Sequence, residues 1–153
     1  MDAEARDLLA EIERIHEAAK KAVRKAGDAG VKWTPAVPDA NSIAVIVTHM
    51  CGSEAQWVHK YIGGRNVERN RDSEFKTPIN TAKGLVEALD KAGAATRQAL
   101  EKETSATLNR AVTSHNPAIA KNARDCVLHS LSHQATHIGH LEMTLQLWEN
   151  RTH

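Results

Sequence analysis

The sequence predicts an all-α fold, a four-helix bundle, and three observations carry that expectation. Apolar residues recur at three- and four-residue steps through four long segments. Gly, Pro and polar residues gather between those segments. Aromatic residues are only 3% of the chain, so Ala and Leu must fill most of the core, which suits close-packed helices better than a β-sandwich. The 153 residues fit a single helical domain, 1–153, with one core.

The first segment, residues 2–26, contains no Gly or Pro, and Leu8, Ile12, Ile15, Ala19 and Val23 form one apolar stripe. Gly27, Gly30, Pro35 and Pro38 break it and open a linker that runs to Asp39. Asp39 or Asn41 supplies the cap for a second helix over residues 42–62. Residues 43–47 are rich in β-branched side chains, yet the apolar positions continue through Met50, Ala55, Trp57, Val58 and Tyr61, too far for a strand. Gly63 and Gly64 end that helix. Residues 65–78, RNVERNRDSEFKTP, have little apolar periodicity and read as a connection. Loops of that length are uncommon unless functional or disordered. Asn80 or Thr81 starts a third helix that runs to Glu103, with Leu85, Leu89, Ala92, Thr96 and Leu100 on one side. After a polar connection, Asn116 as cap and Pro117 in the first turn begin a fourth helix reaching Asn150, roughly 50 Å long.

Composition narrows the function classes. The formal net charge is +1, with neither a basic footprint for nucleic acid nor an acidic tail. The longest purely apolar run, residues 43–47, is too short to span a bilayer. The N-terminus lacks the plan of a secretory signal, so Cys51 and Cys126 are expected as reduced thiols in a cytoplasmic protein.

The densest chemistry is HSLSHQATHIGH, residues 129–140, which holds four of the nine histidines. On a helix His129, His133, His137 and His140 fall within about 80° of arc, beside an apolar arc of Val127, Leu131, Ile138, Leu141, Leu145 and Trp148. Histidines at i and i+4 share a face and can share an ion, but two ligands leave a tetrahedral ion unfinished. A facing helix supplies the rest in bundles, and His49 lies mid-helix in an apolar run. His49, His133 and His137 would make a three-His site with one open position, the arrangement of catalytic zinc. The spacing equally admits a plainer reading, in which the stripe is half-exposed polar surface and His49 is hydrogen-bonded in the core.

Three stretches carry a family resemblance. Residues 41–50, NSIAVIVTHM, residues 69–75, RNRDSEF, and residues 133–141, HQATHIGHL, resemble the helix 2 histidine segment, the charged segment after it, and the H-x-x-x-H-x-G-Q-[IL] pattern of the DinB/YfiT-like superfamily, in its DUF1572-like branch. The resemblance implies a four-helix bundle, a homodimer, and a divalent ion, zinc or nickel, held by His49, His133 and His137. It also implies metal-assisted transfer of a low-molecular-weight thiol, or hydrolysis, acting on a small-molecule substrate. Non-catalytic metal binding is the alternative it leaves. His140 stands where the family has Gln and could add a ligand, donate a proton or hydrogen-bond as the Gln would, while His129, outside the pattern and one turn before His133, is a candidate to support the ligands from behind.

The remaining candidates are weighed on position. Arg69 and Arg71 in the charged segment could hold an anionic substrate or thiol, or belong to a solvated loop. Glu54 is expected in an interhelical or surface ion pair more than as a general base. Trp57 and Tyr61 are expected in the core or in a pocket wall, and both cysteines in the core.

Overall fold

The computed structural model describes residues 1–152 and is all-helical, with no β-strand among them. Helix α1 spans Ala3–Lys32, and Asp2 caps it by accepting from the Ala5 amide at 3.2 Å. Of the predicted stripe, Ile12, Ile15, Ala19 and Val23 are buried, whereas Leu8 is only partly covered and its neighbour Leu9 takes the core position. The helix does not stop at Gly27. That residue leaves helical geometry at φ 65°, ψ 179°, which glycine adopts without steric cost, and the chain resumes a helical path to Lys32.

Helix α2 spans Ile43–Glu54 and continues as a π-helical segment, Ala55–Lys60. Its cap is neither Asp39 nor Asn41 but Ser42, whose hydroxyl accepts from the Val45 amide at 3.2 Å. Gly64, at φ 68°, turns the chain out of the helix, as the Gly63-Gly64 pair foretold. The charged segment is not wholly irregular. It contains a single turn, α3, Arg71–Glu74, capped by Asn70. Helix α4 spans Ala82–Leu100 with Thr81 as cap, and Leu85, Leu89, Ala92, Thr96 and Leu100 all point inward.

The largest departure is the start of the last helix. Helix α5 spans Ala123–Glu149 and begins six residues after Pro117. Asn122 and Asp125 form a reciprocal capping box there. Upstream, the Val112 amide donates to the Lys121 carbonyl and the Ala123 amide to the Arg110 carbonyl, which commits residues 111–122 to a folded-back loop. Asn116 caps a local turn instead, accepting from the Ala118 amide at 3.2 Å.

Helix α1 packs on α4 and α5, and α2 packs on the same two helices. The apolar interior forms two clusters. One contains Val23, Val47, Met50, Leu85, Leu89 and Leu141, and the other Ile12, Trp57, Val58, Leu100, Leu108 and Val127. A buried polar layer lies at their boundary, made of His16, Glu54, His59, Thr96 and Gln134. Among the described residues, no helix is long and apolar enough to cross a membrane.

Candidate metal centre

Three of the sequence-predicted histidines converge. His49 comes from the middle of α2 and is 7% exposed, while His133 and His137 come from successive turns of α5. One ring nitrogen from each lies within 4.8 Å of the others. His49 Nε2 is 3.0 Å from His133 Nε2, and the His133 and His137 ring centroids are 4.4 Å apart. The convergence follows from the packing of α2 on α5. Gln134, the neighbour of His133, donates to the Met50 carbonyl at 3.3 Å, next to His49, and so fixes the register of the two helices at this level.

The charged segment completes the site in a way its composition did not reveal. Glu74, on α3, places Oε1 2.9 Å from His49 Nδ1. Arg69 grips the same carboxylate with two bonds, Nε to Oε2 and a terminal nitrogen to Oε1, each 2.9 Å. Glu74 therefore holds the His49 proton at Nδ1 and leaves Nε2 as the free donor atom, the outer-shell arrangement common around metal-ligating histidines. Gly52 makes room for this carboxylate, since any β-carbon at position 52 would overlap it.

The electrostatics keep the three rings in their ligand form. Burial pushes His133 down to about 3, helped by His137 and His49. Burial likewise brings His137 to about 4, with His49 and His140 adding to the effect. His49 is lowered because burial outweighs the attraction of Glu74. All three are neutral imidazoles near pH 7, the state that binds a cation. His133 Nδ1 is buried without a hydrogen-bond partner, and the ring's one polar protein contact is Nε2 with His49. Zn–N bonds of about 2.0–2.1 Å place two tetrahedral ligands roughly 3.4 Å apart, and the three nitrogens here lie within 4.8 Å of one another. The donor set fits a divalent ion.

The other expected residues fall around this group. His140 is exposed, with Nδ1 3.4 Å from His137 Nδ1. His129 stands one turn away, 6.2 Å from His133 between ring centroids, and its edge meets Trp57 at 4.5 Å. Arg69 is engaged by Glu74, whereas Arg71 is exposed and lies over the Phe75 ring at 5.1 Å. Glu54 is fully buried, not at the surface, and its interhelical partner is His16 at 2.7 Å. Cys126 is in the core, where burial raises its thiol to about 11, and burial also pushes the Cys51 thiol up.

The histidines open onto a cavity of about 750 Å³, which Trp57 and both arginines also line. His115, which the sequence did not single out, enters from the loop before α5. Tyr61 Oη accepts from the His115 amide at 2.9 Å and from Gln56 at 3.0 Å, so its own proton goes to His115 Nδ1, 2.8 Å away. That fixes the neutral ring as the Nε2–H tautomer. A lone histidine in a polar loop has no spacing signal. The sequence clues to Glu74 were the unusual length of its segment and its place in the charged RNRDSEF stretch, neither of which pairs it with His49.

The family model described as "Protein of unknown function (DUF1572)" matches residues 4–151. The chain belongs to the DUF1572 family. No curated protein matches the sequence. Among solved structures, the crystal structure of the conserved protein of locus from Enterococcus faecalis superposes with a TM-score of 0.77, covering 99% of each chain at 12% identity. At that identity the likeness shows the fold alone, and the DUF1572 assignment rests on the sequence.

Proposed function

We propose that this DUF1572 protein is a metal-dependent enzyme whose divalent ion, zinc or nickel, is held by His49, His133 and His137. The observation that carries the reading is the placement of three neutral imidazoles, within 4.8 Å of one another, on the wall of a cavity large enough for a small-molecule substrate. A structural site is closed by four protein ligands, whereas three leave a position for substrate. Such an ion supplies Lewis-acid chemistry and lowers the pKa of a thiol or water that it holds. Thiol S-transfer or hydrolysis is the reaction class that the resemblance of the three quoted stretches implies for such an ion. The DinB/YfiT-like four-helix bundle, a single domain over 1–153, a cytoplasmic setting and a homodimer complete the proposal, resting on the resemblance of the three quoted stretches.

In the alternative, the ion is a non-catalytic clamp between α2 and α5, a reading favoured by the depth of His49. Elemental analysis and chelation separate the cases. Purified protein should carry one divalent ion per chain, and His49→Ala and His133→Ala should each abolish it. Unchanged metal content in His49→Ala sinks the triad. A large drop in Tm on chelation, with no exogenous ligand able to reach the ion, favours the clamp.

A further inference from the structure

The cavity above the histidines has a second half of different character. Five of the seven exposed large apolar side chains among the described residues line it: Val37, Phe75, Ile119, Met143 and Leu147. They come from the linker before α2, the end of α3, the loop before α5, and α5 itself. Exposed apolar residues scattered singly are ordinary, but their concentration around one opening marks a binding surface. On α5 the change of character is continuous. His133, His137 and His140 are followed on the cavity side by Met143, Thr144 and Leu147. The same wall passes from imidazole to hydrocarbon along the helix.

The charges select the other end of the ligand. The Arg69 guanidinium is matched by Glu74, but Arg71 makes no ion pair among the described residues and rests on the Phe75 ring. It lines the same cavity as His49, His133 and His137. Among the described residues, Asp39 is the sole carboxylate in the lining. Three neutral histidines leave the charge of a divalent ion uncompensated. The floor therefore calls for an anion, and the sleeve above it for hydrocarbon.

We propose that this cavity binds amphipathic monoanions, carboxylates bearing an extended apolar chain, with the head at Arg71 and the histidine floor and the chain along Val37, Ile119, Met143 and Leu147. The head-group half rests on the metal centre proposed above, while the apolar half stands on the sleeve itself. The size of the cavity suits a free small molecule.

The test is a chain-length series. Full-length protein, its zinc content first confirmed, is titrated calorimetrically with acetate, butanoate, hexanoate and octanoate below micellar concentration. Kd should tighten two- to fourfold per added methylene, fourfold being the value for about 0.8 kcal/mol per fully buried methylene. The double variant Met143→Ser/Leu147→Ser, which changes two exposed side chains, should flatten that dependence and leave acetate unchanged. Arg71→Gln should weaken every acid by a similar factor and keep the chain-length dependence. A flat series on zinc-loaded protein overturns the proposal and leaves the metal reading standing. If the protein takes up neither zinc nor nickel, the metal reading fails alone, and a chain-length dependence sensitive to Arg71→Gln still supports the sleeve. 1-Octanol binding as tightly as octanoate overturns the anionic head. Two further results overturn the proposal: binding to anionic vesicles without any response to octanoate, and rim variants that turn a dimer into a monomer without altering the series.

Discussion

Glu74 is the residue on which the site turns. It touches His49 on one side and Arg69 on the other, and Gly52 leaves the space it occupies. Loss of an outer-shell carboxylate typically costs 10–100-fold in metal affinity, so Glu74→Gln should weaken zinc binding by about that range while the three ligands remain. Gly52→Ala is the sharper test. Gly to Ala within a helix ordinarily stabilises by about 1 kcal/mol. Here the new methyl group meets a carboxylate that Arg69 and His49 hold in place. Gly52→Ala should therefore reproduce the zinc-binding loss of Glu74→Gln, read by competition with a chromophoric chelator, and unchanged affinity would remove Glu74 from the site. The histidines were legible because helical spacing and an apolar context are local properties of sequence. Glu74 was not, because its partner lies 25 residues away across a turn with no periodicity of its own.

At the scale of elements, apolar periodicity located every long helix, and capping chemistry decided where each began. For the third helix the sequence offers Asn80 or Thr81, and Thr81 is the one whose side chain caps it. The last helix offered two Asn residues six apart, and the sequence reading chose Asn116 because Pro117 follows it. What favours Asn122 is tertiary. The loop bonds of Val112 and Ala123 hold residues 111–122 out of a helix, and Asp125 stands three residues on to complete a capping box. Asn122→Ala should cost about 1 kcal/mol of stability. Asn116→Ala, which removes only a local turn bond, should cost clearly less by urea denaturation. The reverse order would mean that α5 starts earlier than described. The π-helical segment after Glu54 is also beyond sequence reading, since one register shift leaves the overall apolar pattern intact.

Across the whole molecule, the two apolar clusters are joined through the polar layer, so stability should depend on groups far from the cavity. Glu54 Oε2 receives His16 Nε2 at 2.7 Å and Gln134 Nε2 at 2.6 Å, and its Oε1 accepts from Thr96, which also meets His59. Four helical segments besides its own thus meet on one carboxylate's network. Burial pushes Glu54 up, but His16, Thr96 and the nearby His59 favour the ionised form and hold it below its ordinary value. Burial lowers His59 against the pull of Glu54. Both shifts act in the same direction. As pH falls through about 6.5 the unfolded chain protonates His59 while the folded chain resists, and below about 4.5 the same holds for Glu54. Each group contributes stability above its unfolded pKa and loses it as pH falls through its folded value. Chelator-treated protein should be more stable at pH 8 than at pH 5, and a maximum at pH 5 would contradict the assignment.

The sequence reading allowed Glu54 an interhelical partner but could not see that it is fully enclosed, because enclosure requires four other segments to arrive at once. That enclosure sets the size of the last expectation. Glu54→Ala leaves His16 without its partner and Thr96 and Gln134 without their acceptor, all in the interior. Removing one member of a buried charged network costs about 3–5 kcal/mol, mostly through the groups left behind. Replacing both Glu54 and His16 by apolar residues of similar volume removes much of that debt, so Glu54→Met/His16→Leu should be less destabilised than Glu54→Ala alone. Urea denaturation of the three chains at pH 8 decides it. If the double variant is the least stable, the layer contributes through specific hydrogen bonds to Thr96 and Gln134 and not through the His16–Glu54 pair.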